Sequence, residues 1–345
     1  MSIKLADEFK FVPLPPIENA VTAKFLAKPD PLGPLAQLPG KWVGGGFNQI
    51  WRPYFSDPNP TNQDRFLELN VTDEIIEFST IPGKIPNRGL LQEDIFMFGV
   101  SYLQQVFDAL VADNPGLHFE PGMWLTVPPT TDPKEPHTVA RLASIPHGTS
   151  MLAQGVDVEV QGGPRFDPVD ITPFAIGDPG KRFPFPESDL SQATRFRIPS
   201  EANPPHFTQA MVDNPNSVLE AAIAGQTITE MVVLTVSSDP NGSVVGGGTA
   251  NTAFLQGTPP VPTKANAQAS LVTATFWIEA VQGQGEPDFL QLQYTQTVLL
   301  DFNGLSWPHV SVGTLRQTVS NPPTRDEVDP PTSDGIYKAT ESAAR

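Results

Sequence analysis

The sequence predicts an all-β protein, a sandwich or barrel, on two observations. Short apolar runs separated by turn clusters recur from Leu32 to about Val160, as FLELNV, IIEF, MWLTV and VARLASI, and this spacing belongs to sandwiches and barrels. Runs of the same kind return later as TEMVVLTVS, LVTATFWIEAV, FLQLQYTQTVLLDF and LSWPHVSVGTLRQTV. Composition agrees: the 345 residues include Phe 21 and Trp 5 but only 17 % charged residues, the balance of a chain with a core to bury.

In chain order, residues 1–30 are mixed and Pro-containing and read as an arm over the outside of the fold. Residues 31–319 read as a single barrel domain, interrupted at about 161–228 by an insertion. GGPRFDP, ITPFAIGDPGKRFPFP and EANPPHF make its first part an irregular insertion or a long covering loop, because proline cannot donate to a sheet ladder. One helix follows, with Asn214 to cap it, Pro215 in its first turn, SVLEAAIA as its body and Gly225 to end it. Residues 320–345 are polar and Pro-rich and read as a mobile tail.

Charge and composition exclude several functions. A net charge of −17 with only 21 Lys and Arg opposes binding to phosphate backbones or to an anionic membrane surface. No cysteine is present, which removes disulfides, thiol catalysis and thiolate metal sites. MSIKLADEFKFV lacks the apolar run of a secretory leader, and no stretch nears the ~20 apolar residues of a membrane helix. The expected location is the cytoplasm.

The segment Phe289–Val319 is the most informative. Asn303-Gly304 lies between two strand-like runs, the strongest short-range hairpin signal, since a type I′ turn needs positive φ at both central residues. Those two residues as the loop set Phe302 opposite Leu305, Leu300 opposite Trp307, Val298 opposite His309, Gln296 opposite Ser311, Tyr294 opposite Gly313 and Leu292 opposite Leu315. Opposed residues share a face. The face with Leu292, Tyr294, Val298, Leu300, Phe302, Trp307, His309 and Leu315 is predicted to be buried. The other carries Gln291, Gln293, Thr295, Thr297, Val310, Val312, Thr314 and Arg316. His309 therefore points inward beside the small Ser311 and Gly313, positions that a packed core fills with large groups. An inward imidazole next to missing volume predicts a ligand cavity; a core histidine satisfied by Gln296 or a backbone carbonyl is the alternative.

Further segments resemble a known family. Leu38-Pro39-Gly40-Lys41-Trp42-Val43-Gly44-Gly45-Gly46 resembles the G-x-W opening of lipocalin-like barrels, and more closely the G-x-W-x-G-x-G of nitrobindins, fatty-acid-binding-protein-like barrels that hold haem b. Leu117-His118-Phe119-Glu120-Pro121-Gly122, Ile145-Pro146-His147-Gly148 and Ala153-Gln154-Gly155 resemble later strands and turns of that family. His309, shortly before Thr314-Leu315-Arg316, resembles its proximal haem ligand. The resemblance covers roughly 34–155 and 270–319, in a chain about twice the usual length. It implies a calycin-like antiparallel barrel, haem b on His309 with an open distal side, and chemistry on peroxynitrite or small diatomic ligands, as an isomerase or weak peroxidase. Trp42, Tyr294, Val298, Leu300, Ser311, Gly313 and His147 would complete the cofactor pocket, with His147 a distal-side group at the mouth and Trp42 the plug of the closed end. A second imidazole nitrogen needs an acceptor to fix its tautomer; Gln296 and a backbone carbonyl are the candidates.

Other constellations carry less. His118 alternates with Leu117 and Phe119 and is predicted to point outward; His137 and His206 lie in Pro-rich surface segments. Asp73-Glu74 and Glu93-Asp94 read as solvated surface. Gly44-Gly45-Gly46 lacks the G-K-[ST] ending of a phosphate loop, and no G-x-S-x-G elbow occurs. The rivals are a cofactor-free carrier of a fatty acid or other apolar molecule, and a haem carrier or sensor without turnover.

Overall fold

In a computed structural model, which describes residues 31–55, 65–199, 206–258 and 265–318, the strands close into a cylinder. They are β1 (Gly40–Arg52), β2 (Phe66–Thr80), β3 (Ile85–Asn87), β4 (Ile95–Asp108), β5 (Gly116–Val127), β6 (Thr138–Ile145), β7 (Thr149–Gln161), β8 (Phe174–Ala175), β9 (Asp178–Arg182), β10 (Arg197–Ile198), β11 (Thr227–Ser237), β12 (Gly248–Asn251), β13 (Gln268–Gln282), β14 (Phe289–Phe302) and β15 (Leu305–Thr318). Ten of them pair in the order β1-β2-β4-β5-β6-β7-β11-β13-β14-β15, and β15 pairs back to β1. Every one of these ladders is antiparallel, so the all-β, calycin-like architecture is the one observed. Closure leaves no barrel edge unpaired. The arm at 1–30 and the tail at 320–345 lie outside the described residues.

The final hairpin adopts the expected register pair for pair, from Phe302↔Leu305 through Val298↔His309 to Leu292↔Leu315. Asn303 and Gly304 take φ of +50° and +78°, the two positive values that the I′ turn demands. The glycines Gly44, Gly45 and Gly46 lie inside β1 and form no loop. A Cβ on Gly46 would come within 1.9 Å of the Val312 oxygen, so β1 and β15 meet there closer than any side chain permits.

Two cores share the wall. The inner one runs from Trp42, Ile76 and Trp124 to Phe276, Leu292 and Leu315. Leu32, Leu35 and Leu38, around a 3-10 turn at Gly33–Leu35, close the end where β1 begins, and the Trp42 Nε1–H donates to the Leu38 oxygen at 2.8 Å.

The second core lies outside the barrel. Phe47, Trp51, Leu67, Trp277, Val310 and Val312 point away from the interior and are covered by Phe166, Ile171, Leu190, Phe207, Val212 and Leu219, all from the Pro-rich insertion. The insertion holds α1 (Gln209–Asp213) and α2 (Ser217–Ala222). The predicted SVLEAAIA helix is α2, and its N-cap position is Asn216, not Asn214. Asn214 instead ends α1, which Thr208 caps by accepting from the Met211 N–H at 3.3 Å, and its Oδ1 accepts from the Val169 N–H at 3.1 Å. The face of the final hairpin opposite His309 is therefore not solvent-facing: Val310, Val312 and Gln293 are wholly buried, with Gln293 donating to the Leu219 oxygen at 3.2 Å. Phe302 and Trp307, expected inside, join this outer core, where Trp307 packs on Trp51, Phe185 and Phe302.

Under the same cover lies Glu279, wholly buried on β13. Its Oε2 accepts from Gln291 at 2.7 Å, while Oε1 finds no partner among the described residues. Burial pushes its pKa up to about 8, against a smaller lowering by Gln291. The folded chain then keeps a proton that the unfolded chain releases above about 4.5, so this contribution to stability is full below that pH and is lost as pH rises through 8. Glu279→Gln should remove the decline. Urea unfolding at pH 5.5 and at pH 8 should show the variant losing less stability than the parent, by up to a few kcal/mol; equal losses would show that Glu279 ionises freely.

Candidate functional site

A cavity of about 370 Å³ occupies the half of the barrel farthest from Trp42. Its walls come from the second half of β1 (Asn48, Ile50, Arg52), the β4 end (Val106), the β5 start (Leu117, His118), the β6–β7 turn (Ile145, His147, Thr149), Val272 of β13, Val298 and Leu300 of β14, and His309 and Ser311 of β15. Leu255, from the short helix α3 (Ala253–Gln256), closes one side. At the rim Arg52 Nε pairs with Glu68 Oε2 at 2.7 Å. The size falls in the ~300–1,000 Å³ range of small-molecule sites, and the wall has their mixture of aliphatic lining and a few polar groups.

His309 faces this space, as the hairpin predicts. Neither ring nitrogen has a hydrogen-bond partner among the described residues. Burial, reinforced by the nearby charge of His118 and then of His147, pushes its pKa down to about 3. The ring is therefore neutral at physiological pH and keeps a lone pair for a ligand. Gln296 does not fix its tautomer, because the Gln296 Oε1 accepts from Arg141 Nη1 at 2.6 Å.

Of the other sequence-predicted residues, Val298, Leu300, Tyr294, Ser311 and His147 line the cavity with His309. Trp42 and Gly313 do not. Trp42 belongs to the closed-end core, and the room left at Gly313 holds the Tyr294 ring: a Cβ there would stand 2.5 Å from Tyr294 Cε1.

His118 points inward, contrary to expectation. On β5 the inward set is His118, Glu120 and Trp124, whereas Phe119 and Met123 are 43 % and 37 % exposed. Its ring stacks on His147, with centroids 5.5 Å apart and planes at 24°. Burial and then the charge of His118 lower the His147 pKa. His137 is partly exposed beside Asp157 at 3.1 Å, and His206 is exposed, both away from the cavity.

Behind His118 and Gln296 of the cavity wall lies a polar layer. Arg141 and Glu120 are wholly buried and paired at 2.6 Å. Arg141 Nε donates to the Tyr102 hydroxyl at 2.9 Å, and that hydroxyl donates to Glu120 Oε1. The guanidinium sits 5.0 Å from the Phe276 ring centroid and 5.7 Å from that of Trp124. Burial alone would raise the Glu120 pKa; the adjacent Arg141 charge and His118 override it and hold the carboxyl at about 2. Beside this group Glu74 accepts from Tyr294 at 2.6 Å and from Thr72 at 2.7 Å, and burial raises its pKa. Glu74 is thus an interior group and not solvated surface, while Asp94 is exposed and pairs with Arg88. Arg141 stands at the inward parity of VARLASI, flanked by Val139 and Ala143, and a charged residue there is the sequence signal for the layer.

Among the described residues no three His, Asp or Glu side chains converge to hold a metal ion by themselves, and no helix is long and apolar enough to cross a membrane. No protein-family model matches the chain, and no curated protein matches it.

Proposed function

We propose that the barrel binds haem b, with His309 as the axial donor, and leaves the opposite wall to a small ligand. The observation that carries this reading is the His309 imidazole, neutral, without a hydrogen-bond partner among the described residues and facing the barrel cavity. A single neutral imidazole is the donor that haem iron takes in proteins with an open sixth position. Ile50, Val106, Leu117, Val298 and Leu300 would flank the macrocycle and exclude water. The nitrobindin-like motifs support the same reading, and the described residues of the insertion do not obstruct it, because they cover the outer wall and none of them lines the cavity. When bound, the group supplies a ferric centre for diatomic or peroxynitrite-type ligands. His309 holds it, and the aliphatic wall keeps that side dry.

Adding hemin to the cofactor-free protein should produce an intense Soret band that saturates at one equivalent. A protein that takes up no hemin but binds a fluorescent fatty acid in the same cavity would instead be an apolar-ligand carrier, the function that the aliphatic wall alone would serve.

A further inference from the structure

We propose that His118 is the proton acceptor of this cavity, placed by Glu120 to take the proton of a small weak acid and hold the anion that remains. The inference builds on the cavity as a ligand site, but not on the identity of the cofactor. His118 Nε2 lies 3.1 Å from Glu120 Oε2. The second carboxylate oxygen is occupied by Arg141 and Tyr102, so the carboxylate cannot turn away. An ionised carboxylate only accepts, so Nε2 carries the hydrogen and Nδ1 is left as the basic nitrogen. The same logic orients the imidazole of a hydrolase triad, where a buried acid fixes the tautomer and stabilises the imidazolium.

Position separates His118 from His309. In the strand order β15 and β5 are four steps apart around the cylinder, so the two rings approach the cavity from different walls. Among the described residues, the titratable or charged groups that line the cavity with His118 or act on its charge are Glu120 on its own strand, Arg52 on β1, Glu68 and Glu74 on β2, His147 in the β6–β7 turn, Tyr294 on β14 and His309 on β15, with Tyr102 on β4 and Arg141 on β6 bonded behind Glu120. Among the described residues only Glu120 bonds the His118 ring, and its carboxylate would face the imidazolium once formed. In the step, the X–H bond of the acid breaks, its proton passes to Nδ1, and its electron pair stays on X. No electron changes hands. The ligand class is a small oxygen or nitrogen acid that binds as its anion.

The test uses azide on the full-length, hemin-loaded protein, comparing the parent with His118→Gln and His118→Asn on the loaded fraction. In the parent, azide binding should take up one proton, so that affinity falls as pH rises. Both variants should lose that dependence and bind azide about tenfold more weakly at pH 7.5, the loss of one charge-assisted hydrogen bond. Equal pH dependence and affinity in parent and variants would overturn the proposal. If the parent takes up no hemin, the haem reading fails by itself. His118 is then judged by nitrogen-15 NMR of the cofactor-free chain with azide. Movement of the His118 signals from the Nε2–H tautomer toward imidazolium supports the role; unmoved signals reject it.

Discussion

His309→Ala should lower hemin affinity by well over ~100-fold, since loss of a hydrogen bond to a ligand alone costs 10–100-fold and here the donor itself goes. The barrel should survive, because the ring faces a cavity and makes no hydrogen bond that its removal would orphan among the described residues. A second readout needs no cofactor. With a folded pKa of about 3 against about 6.5 unfolded, His309 favours the unfolded chain as pH falls. Stability is intact above the unfolded value and declines between about 6.5 and 3 as the unfolded chain takes up the proton first. The alanine variant should therefore resist acid better than the parent, by up to a few kcal/mol near pH 3–4, as read from urea midpoints along a pH series. Full hemin affinity in the variant would remove His309 as the ligand. Unchanged acid sensitivity would mean that its ring is open to water.

The hairpin could be read from sequence because one local rule fixed it. Two residues that must both take positive φ set the turn, and the turn sets every pair beyond it, including the inward direction of His309. The wall on the other side of the cavity offered no such anchor. On β5 the apolar residues Phe119 and Met123 are exposed while His118 and Glu120 point in, so the usual assumption that aromatic means interior inverted the strand. A correct parity could have been taken from Trp124, which is buried and two positions from Gly122 and four from Glu120. The outer core was hidden for a different reason. Strands covered on both faces lose their alternation, and the near-continuous run ATFWIEAV in β13 is the trace of that cover. Phe166, Ile171, Leu190, Phe207, Val212 and Leu219 provide it; the sequence lets the insertion be read as a covering loop, but irregular chain has no period to show which wall it covers.

The Glu120–Arg141 pair should prove the most fragile point of the fold. Arg141→Met alone should destabilise the protein by ~3–5 kcal/mol, the cost of leaving a buried charge without its partner. Glu120→Gln should cost a similar amount for the same reason, since among the described residues the guanidinium that remains has only Tyr102 and Gln296 as hydrogen-bond partners. Removing both charges should not double the loss. In Glu120→Gln with Arg141→Met neither side chain is ionised, and the desolvation that each ion had to overcome disappears with it. The remaining cost is that of polar groups that lose donors, the Tyr102 hydroxyl and the Gln296 oxygen, at ~1–3 kcal/mol each where no water reaches them. A double-mutant cycle from urea unfolding at pH 7 should thus give a coupling of ~4 kcal/mol. The pH dependence has a defined sign. Glu120 is held at about 2, below its ordinary 4.5, so its share of stability is present above about 4.5 and fades as pH falls through 2. The Glu120→Gln penalty should accordingly shrink at pH 2–3 relative to pH 7. Single variants that cost under 1 kcal/mol and add without coupling would mean that water enters the layer, and that the carboxylate fixing His118 is not held as the hydrogen bonds describe.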